Sequence, residues 1–278
     1  MEEIRYIKDK DLTYLKDIRE GLQAYNKMFT GEKKQDVRHF YVFDDETLIG
    51  ACSTEMGWDW AFISHIFYND ETVLRLLLNE VSEYYNGAVT GIQYFTSDQN
   101  RINSFISNRY YSAGQLIDMP KGQTMHYLMQ TDLSSLEVST NYIVITNKEK
   151  IEDYHNILLE KEKQHNNNRN YNSKKEEIVY AVLNKDTCIG GVYGYYKDDY
   201  LYVSFLFVNE EYRGRKIASK LMDLIEEDSK DKKFTNVYLS TCEFQALDFY
   251  LKRGYNIIAE VKDYPKGYKE YTLSKTIK

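Results

Sequence analysis

The feature that most constrains this chain is a repeat. Its two prolines lie in Asp118-Met-Pro-Lys-Gly122 and Asp263-Tyr-Pro-Lys-Gly267, 145 residues apart. "YFTSD" at 94–98 and "FISNRYY" at 105–111 precede "LSTCE" at 239–243 and "YLKRGYN" at 250–256 by the same interval. Nearer the start of each copy the interval is 140: "FYVFDDETLIGA" at 40–51 aligns without a gap with "YAVLNKDTCIGG" at 180–191, and Tyr68-Asn69-Asp70-Glu71 with Val208-Asn209-Glu210-Glu211. The change of interval falls between Glu71 and Leu76, where one copy has a loop that the other lacks. Solenoid units repeat every 20–50 residues or so, so copies this long are expected to be complete domains. The expected division is 1–131 and 139–278, with Thr131 to Thr140 as linker.

Each copy reads strand, helix, polar stretch, three-stranded meander, helix, strand, helix and two closing strands. Leu12, Leu15, Ile18 and Leu22 in the first copy, and Ile151, Tyr154, Ile157 and Leu158 in the second, have the spacing of amphipathic helices. In the second copy the meander is expected at Ile178 to Leu183, Cys188 to Tyr196 and Leu201 to Val208, with turns at Asn184 to Thr187 and Lys197 to Asp199. The expected class is α+β, a mixed α/β sheet with helices on its faces. His165 to Lys175, rich in asparagine, reads as a loop between elements.

Three cysteines, Cys52, Cys188 and Cys242, without ligand spacing argue against a disulfide framework and against a metal site. The charged N-terminus and the lack of an apolar run near 18 residues or so predict a cytoplasmic protein without a membrane partner. A net charge of −7 disfavours a nucleic-acid partner, since basic side chains supply most non-specific affinity for phosphates, and leaves a cationic acceptor open.

After "YVSFLFV" comes "NEEYRGRKIASKLMDLIEE", where Ile217, Leu221, Leu224 and Ile225 mark a buried helix face. Arg213 to Ala218 thus forms a strand-to-helix turn whose unpaired amides and dipole suit a pyrophosphate. Arg213, Arg215 and Lys216 add positive charge where the dipole disfavours cations, which an anionic ligand explains. The segment resembles the GNAT superfamily of N-acetyltransferases, whose loop reads Arg/Gln-x-x-Gly-x-Gly/Ala after Leu-x-Val. Leu206-Phe-Val208, Arg213 and Ala218 match, and Lys216 stands where the first loop glycine is usual. "TCEFQALDFYLKRGYNIIAEVKDYPKG" at 241–267 extends the resemblance.

The resemblance implies two tandem GNAT-like domains and acetyl-CoA as co-substrate. Leu206, Phe207 and Val208 would pair with the pantetheine arm. Arg213, Gly214, Arg215, Lys216, Ile217, Ala218 and Ser219 would hold the pyrophosphate. Tyr250 falls where the family places a tyrosine beside the coenzyme sulfur, suited to protonate the leaving thiolate. Its helix face, shared with Leu247 and Leu251, serves a core tyrosine equally well. Glu243 stands where many relatives have asparagine and is a candidate base or acceptor anchor. The implied reaction is direct acetyl transfer in a ternary complex to a small-molecule or peptide amine, by a monomer or homodimer. A non-catalytic acyl-CoA-binding module and a Fem-type aminoacyl transferase are the rival readings.

In the first copy, "NDETVLRLLL" has acidic residues and no glycine where the second has its loop, and Phe105 replaces Tyr250. One coenzyme site, in the second copy, is therefore expected. Cys242, His65 and His126 read as structural. Trp58 and Trp60, alternating along a strand, read as core or interface.

Overall fold

A computed structural model describes residues 3–32, 35–117, 122–135, 138–167, 175–197, 200–234 and 236–277. The first Pro-Lys motif up to Lys121, residues 136–137 of the expected linker, most of the asparagine-rich run and the turn at 198–199 lie outside these residues.

The first copy supplies β1 (Ile4–Lys8), α1 (Leu15–Thr30), β2 (Val37–Asp44), β3 (Thr47–Gly57), β4 (Trp60–Tyr68), α2 (Glu71–Tyr85), β5 (Gly91–Thr96), α3 (Gln99–Ser107), β6 (Tyr111–Ile117) and β7 (Thr124–Gln130). The second supplies β8 (Ile143–Asn147), α4 (Glu152–Asn167), β9 (Glu176–Asn184), β10 (Thr187–Lys197), β11 (Tyr200–Val208), α5 (Ile217–Asp231), β12 (Asn236–Cys242), α6 (Leu247–Lys252), β13 (Asn256–Lys262) and β14 (Lys269–Thr276). A single 3₁₀ turn, Glu210–Tyr212, precedes α5. The element order expected from the sequence is the observed one.

Among the described residues, fourteen strands form one mixed sheet in the order β1-β9-β10-β11-β12-β14-β13-β6-β7-β5-β4-β3-β2-β8. The order reads the same way inward from either end, and the halves meet where Ala259 of β13 pairs with Gly114 of β6. A Cβ on Gly114 would lie 2.2 Å from the Ala259 Cβ, so this seam needs glycine. Gly114→Val should destabilise the chain by about 1–3 kcal/mol through overpacking. A lowered urea midpoint would register it, and an unchanged midpoint would show that the seam yields freely.

The copies exchange their first strand and helix. β1 pairs with β9 of the second copy, Ile4 opposite Asn184 through Lys8 opposite Tyr180. β8 pairs with β2 of the first, Ile143 opposite Phe43 through Asn147 opposite His39. α1 packs on β10 and β11, and α4 on β3 and β4. Ile18 of α1 is fully buried among Val179, Tyr193, Phe205 and Phe207. The halves of the sheet therefore do not coincide with 1–131 and 139–278. An amphipathic helix requires a sheet to cover, and its apolar stripe does not specify which copy supplies that sheet.

Trp60 opens β4 and Trp58 lies in the preceding turn with φ 57°, so the two do not alternate along a strand. Both rings pack edge-on against Tyr264 of the other copy, and Trp60 Nε1 donates to the Asp263 carbonyl at 2.8 Å. They form part of the contact between the copies. Among the described residues, no helix is long and apolar enough to cross a membrane.

Candidate active site

The second half of the sheet has one parallel pair, β11 with β12, matched from Tyr200 opposite Asn236 to Val203 opposite Leu239. At that level the register between β10 and β11 slips, leaving Ser204 as a bulge. A bulge bends its strand, and beyond it β11 and β12 part. The gap is a cavity of about 270 Å³. Ser204 and Leu206 to Val208 line one side, Ser240, Thr241, Gln245, Phe249 and Tyr250 the other, and Arg213 and Ala218 one end. Backbone groups of Leu206 to Val208 on this side have no partner strand in β12.

At the Arg213 end the chain turns into α5. Asn209 starts the turn by accepting from the Glu211 amide at 3.3 Å. Gly214 has φ 76°, and Lys216, the N-cap of α5, has φ 61° and ψ 15°. The left-handed shape for which glycine is usual at this position is thus retained by a lysine, at a cost of roughly 1–2 kcal/mol. Among the described residues no side chain caps α5, so amides in its first turn stay free for an anion. Arg213 Nε donates to the Val208 carbonyl at 3.1 Å, and its guanidinium lies 4.7 Å from the Tyr25 ring centroid. Arg215 donates to the Glu211 carbonyl and stacks on Tyr212.

Tyr250 is buried in the opposite wall, its ring edge-on to Phe249 and Tyr255. Burial raises its phenol well above the usual tyrosine range, and nearby Arg253 offsets this in part. Beneath it Glu226 is clamped by Lys275 at 2.7 Å, Tyr255 Oη at 3.0 Å and Arg253 at 3.2 Å. That network fixes α6 to α5 and β14, and so fixes the floor on which Tyr250 stands.

Glu243 does not enter the cavity. β12 ends at Cys242, the chain turns, and the Glu243 side chain is exposed while its amide donates to the Lys269 carbonyl at 2.8 Å. Gln245 is brought in instead: its Oε1 accepts from the Cys242 amide at 2.8 Å and its Nε2 donates to Asn26 Oδ1 at 2.8 Å. Asn26 belongs to α1, and the exchanged helix is a wall of the cavity that sequence reasoning missed. Leu22 and Tyr25 line it, Tyr25 Oη donates to the Phe244 carbonyl at 3.0 Å, and Phe29 stacks on Phe244. A Cβ on Gly21 would lie 2.3 Å from the Phe207 ring, so this glycine sets the close approach of α1. α1 ends at Thr30 and β11 begins at Tyr200, and no local pattern could have joined them.

The first half repeats the scaffold with different contents. β4 and β5 pair only from Trp60 to Phe62, and Ser64 is the bulge. Here Glu162 of the exchanged α4 accepts from the Ile66 amide at 2.8 Å, while Arg101 donates to the Ile66 carbonyl at 3.1 Å and to Tyr94 Oη at 2.6 Å. Ile66 matches Leu206 in the repeat. Asp70 caps α2, accepting from the Thr72 amide at 2.8 Å and the Val73 amide at 3.0 Å. Phe105, fully buried, stacks on Tyr94 where the other half has Tyr250. Cys52 and Cys242 are buried, and burial raises both thiols, as small packed residues.

A cavity between parting parallel strands, with free amides at one end and a buried phenol in its wall, defines the acyltransferase class of site. Residues 145–255 match the model of the Acetyltransferase (GNAT) family. Over 96 residues the chain is 31% identical to an acetyltransferase of Agrobacterium fabrum, covering 34% of this chain and 70% of that protein. Over 100 residues it is 29% identical to the blasticidin-S acetyltransferase of Streptomyces morookaense, covering 36% and 74%. A solved acetyltransferase structure from Bacillus cereus aligns at 26% identity and a TM-score of 0.42, over 52% of this chain and 99% of that one. The chain belongs to the GNAT acetyltransferase family and is an N-acetyltransferase, with an acyl-CoA thioester as donor.

Proposed function

We propose that the protein transfers an acetyl group from acetyl-CoA to a primary amine, directly and within a ternary complex. The observation that carries this reading is the Lys216 backbone, which holds the glycine-like shape and leaves the first turn of α5 uncapped. Amides of Ile217, Ala218 and Ser219, with Arg213 and Arg215 beside them, would hold the pyrophosphate. The edge of Leu206 to Val208 that faces away from β10 and has no partner in β12 would receive the pantetheine arm. The second copy, 139–278, is the catalytic one and borrows β1 and α1, whereas the first, 1–131, is non-catalytic. One relative is a blasticidin-S acetyltransferase, which supports a small-molecule acceptor here. The lack of a long apolar helix among the described residues is compatible with a cytoplasmic setting.

Arg213→Glu tests the loop. A charge-assisted hydrogen bond contributes about 1.5–3 kcal/mol, so acetyl-CoA affinity should fall at least about tenfold. The thermal midpoint should hardly move, since among the described residues the guanidinium engages one carbonyl and one ring face. Unchanged affinity by calorimetry would remove the pyrophosphate assignment.

A further inference from the structure

Acetyl transfer needs a group that takes the acceptor's proton, and the exposed Glu243 does not meet the cavity. Another carboxylate lies one strand away. Glu270 of β14 is directly opposite Cys242 of β12, and Thr272 is opposite Ser240. Alternation places these four side chains on one face of the sheet. Ser240 belongs to the cavity wall, and Glu270 is its diagonal neighbour, about 7–8 Å away in such a ladder and within reach of a long side chain. The hydroxyls of Tyr202, Ser240 and Thr272 follow one another at 3.4 Å across β11, β12 and β14.

We propose that Glu270 is the proton acceptor for the incoming amine, and that the acceptor is a primary alkylamine presented as its ammonium ion. This rests on the N-acetyltransferase reading above. Among the described residues the Glu270 carboxylate has no ion pair and no hydrogen bond. Yet it is half-buried, with its surroundings packed closely enough to push its pKa up to about 8. The titratable groups that face it are Cys242 on β12, Tyr202 on β11, Tyr264 beyond β13 and Tyr127 on β7 of the other half. Burial raises all four, so they are neutral across the working range. Val261 is its neighbour on β13, and the adjacent Lys269 is engaged by Glu260 at 3.0 Å. A carboxylate in such a place lacks a counter-ion, and a substrate ammonium supplies one. The tyrosine rings around it offer faces that attract alkylammonium groups.

The chemistry fits the same assignment. An alkylammonium of pKa about 10.4 gives up its proton to an ordinary carboxylate of about 4.3 in only about one complex in 10⁶. For a carboxylate near 8 the fraction rises to about one in a few hundred. Glu270 takes one proton from the ammonium, directly or through one water. The freed nitrogen lone pair forms a bond to the thioester carbonyl carbon. The C–S bond then breaks, the thiolate takes the Tyr250 proton, and the second nitrogen proton restores the Tyr250 phenol. Glu270 returns its proton to solvent, leaving amide, free thiol and one released proton.

Glu270→Gln in the full chain tests this, since glutamine reproduces the shape of the protonated carboxyl. With 1,4-diaminobutane and other primary alkylamines as acceptors, kcat/KM should fall at least about 10²-fold, while acetyl-CoA affinity by calorimetry stays unchanged. In the unsubstituted protein kcat/KM should rise with pH and level off above about 8. In the variant the plateau should give way to a rise that continues towards the amine's own pKa. Glu270→Asp should keep the plateau at a reduced rate. Wild-type kcat/KM and an unchanged pH profile in Glu270→Gln would overturn the assignment, as would acceptance of only amines that are already free bases. A protein that binds no acetyl-CoA at all would instead overturn the N-acetyltransferase reading, leaving the two failures distinct.

Discussion

Tyr250→Phe should lower kcat about 10²-fold or more while leaving acetyl-CoA affinity within about a factor of two. A positioned general acid contributes about 10²–10⁴, and the hydroxyl is the only group removed. Burial keeps the phenol protonated above the ordinary tyrosine range, so the acid form is present throughout an assay between pH 6 and 9 or so. No loss of activity from Tyr250 ionisation should occur in that window. Among the described residues no hydrogen bond engages the hydroxyl, so its removal strands no partner. Stability should change by less than about 1 kcal/mol. Single-turnover kinetics separates the acid step from product release. A variant with unaltered single-turnover rate would return Tyr250 to a packing role beside Phe249 and Tyr255.

Much of this site could be read from the sequence because it is local. The loop from Arg213 to Ser219 is contiguous, lies between an apolar strand and an amphipathic helix, and declares its ligand by its charge. Lys216 was legible as a departure from the glycine pattern, but its backbone conformation was not, because a lysine can pay the left-handed strain when both flanking elements are fixed. Glu243 was misplaced because one residue beyond a strand end decides which way a side chain points, and a turn does not continue the alternation of the strand. Gln245, Tyr25 and Asn26 were invisible for another reason. Their meeting depends on the exchange of β1 and α1 between copies, and the amphipathic patterns of α1 and α4 are compatible with either partner. Internal symmetry made the repeat obvious and made its crossed assembly undecidable from pattern alone. Glu270 escaped notice because it sits in an ordinary alternating strand, and only the assembled sheet shows that, among the described residues, no ion pair compensates its charge.

The full chain should bind one acetyl-CoA, although both halves of the sheet carry a parting parallel pair with a serine bulge. In the first half each feature the coenzyme would need is already taken. The amide and carbonyl of Ile66, counterparts of those at Leu206, are engaged by Glu162 and Arg101. A pantetheine arm would have to displace both, leaving a half-buried carboxylate and guanidinium without their hydrogen bonds, at about 1–3 kcal/mol or more for each. The amides at the start of α2 are capped by the Asp70 carboxylate, which a pyrophosphate would have to expel against charge repulsion. Only Asn69 and Asp70 separate β4 from α2, whereas residues 209–216 separate β11 from α5, so the first copy lacks the backbone that wraps an anion. Phe105 offers no proton where Tyr250 would. Calorimetry should therefore give a stoichiometry of one, and Arg213→Glu should weaken that single isotherm without exposing a second. Glu162→Ala should remove the groove's internal occupant and still leave the stoichiometry at one, because Asp70 and the short turn remain. A stoichiometry of two in the unsubstituted chain, or a residual site unaffected by Arg213→Glu, would show that the first copy binds the coenzyme through residues other than those of the repeat.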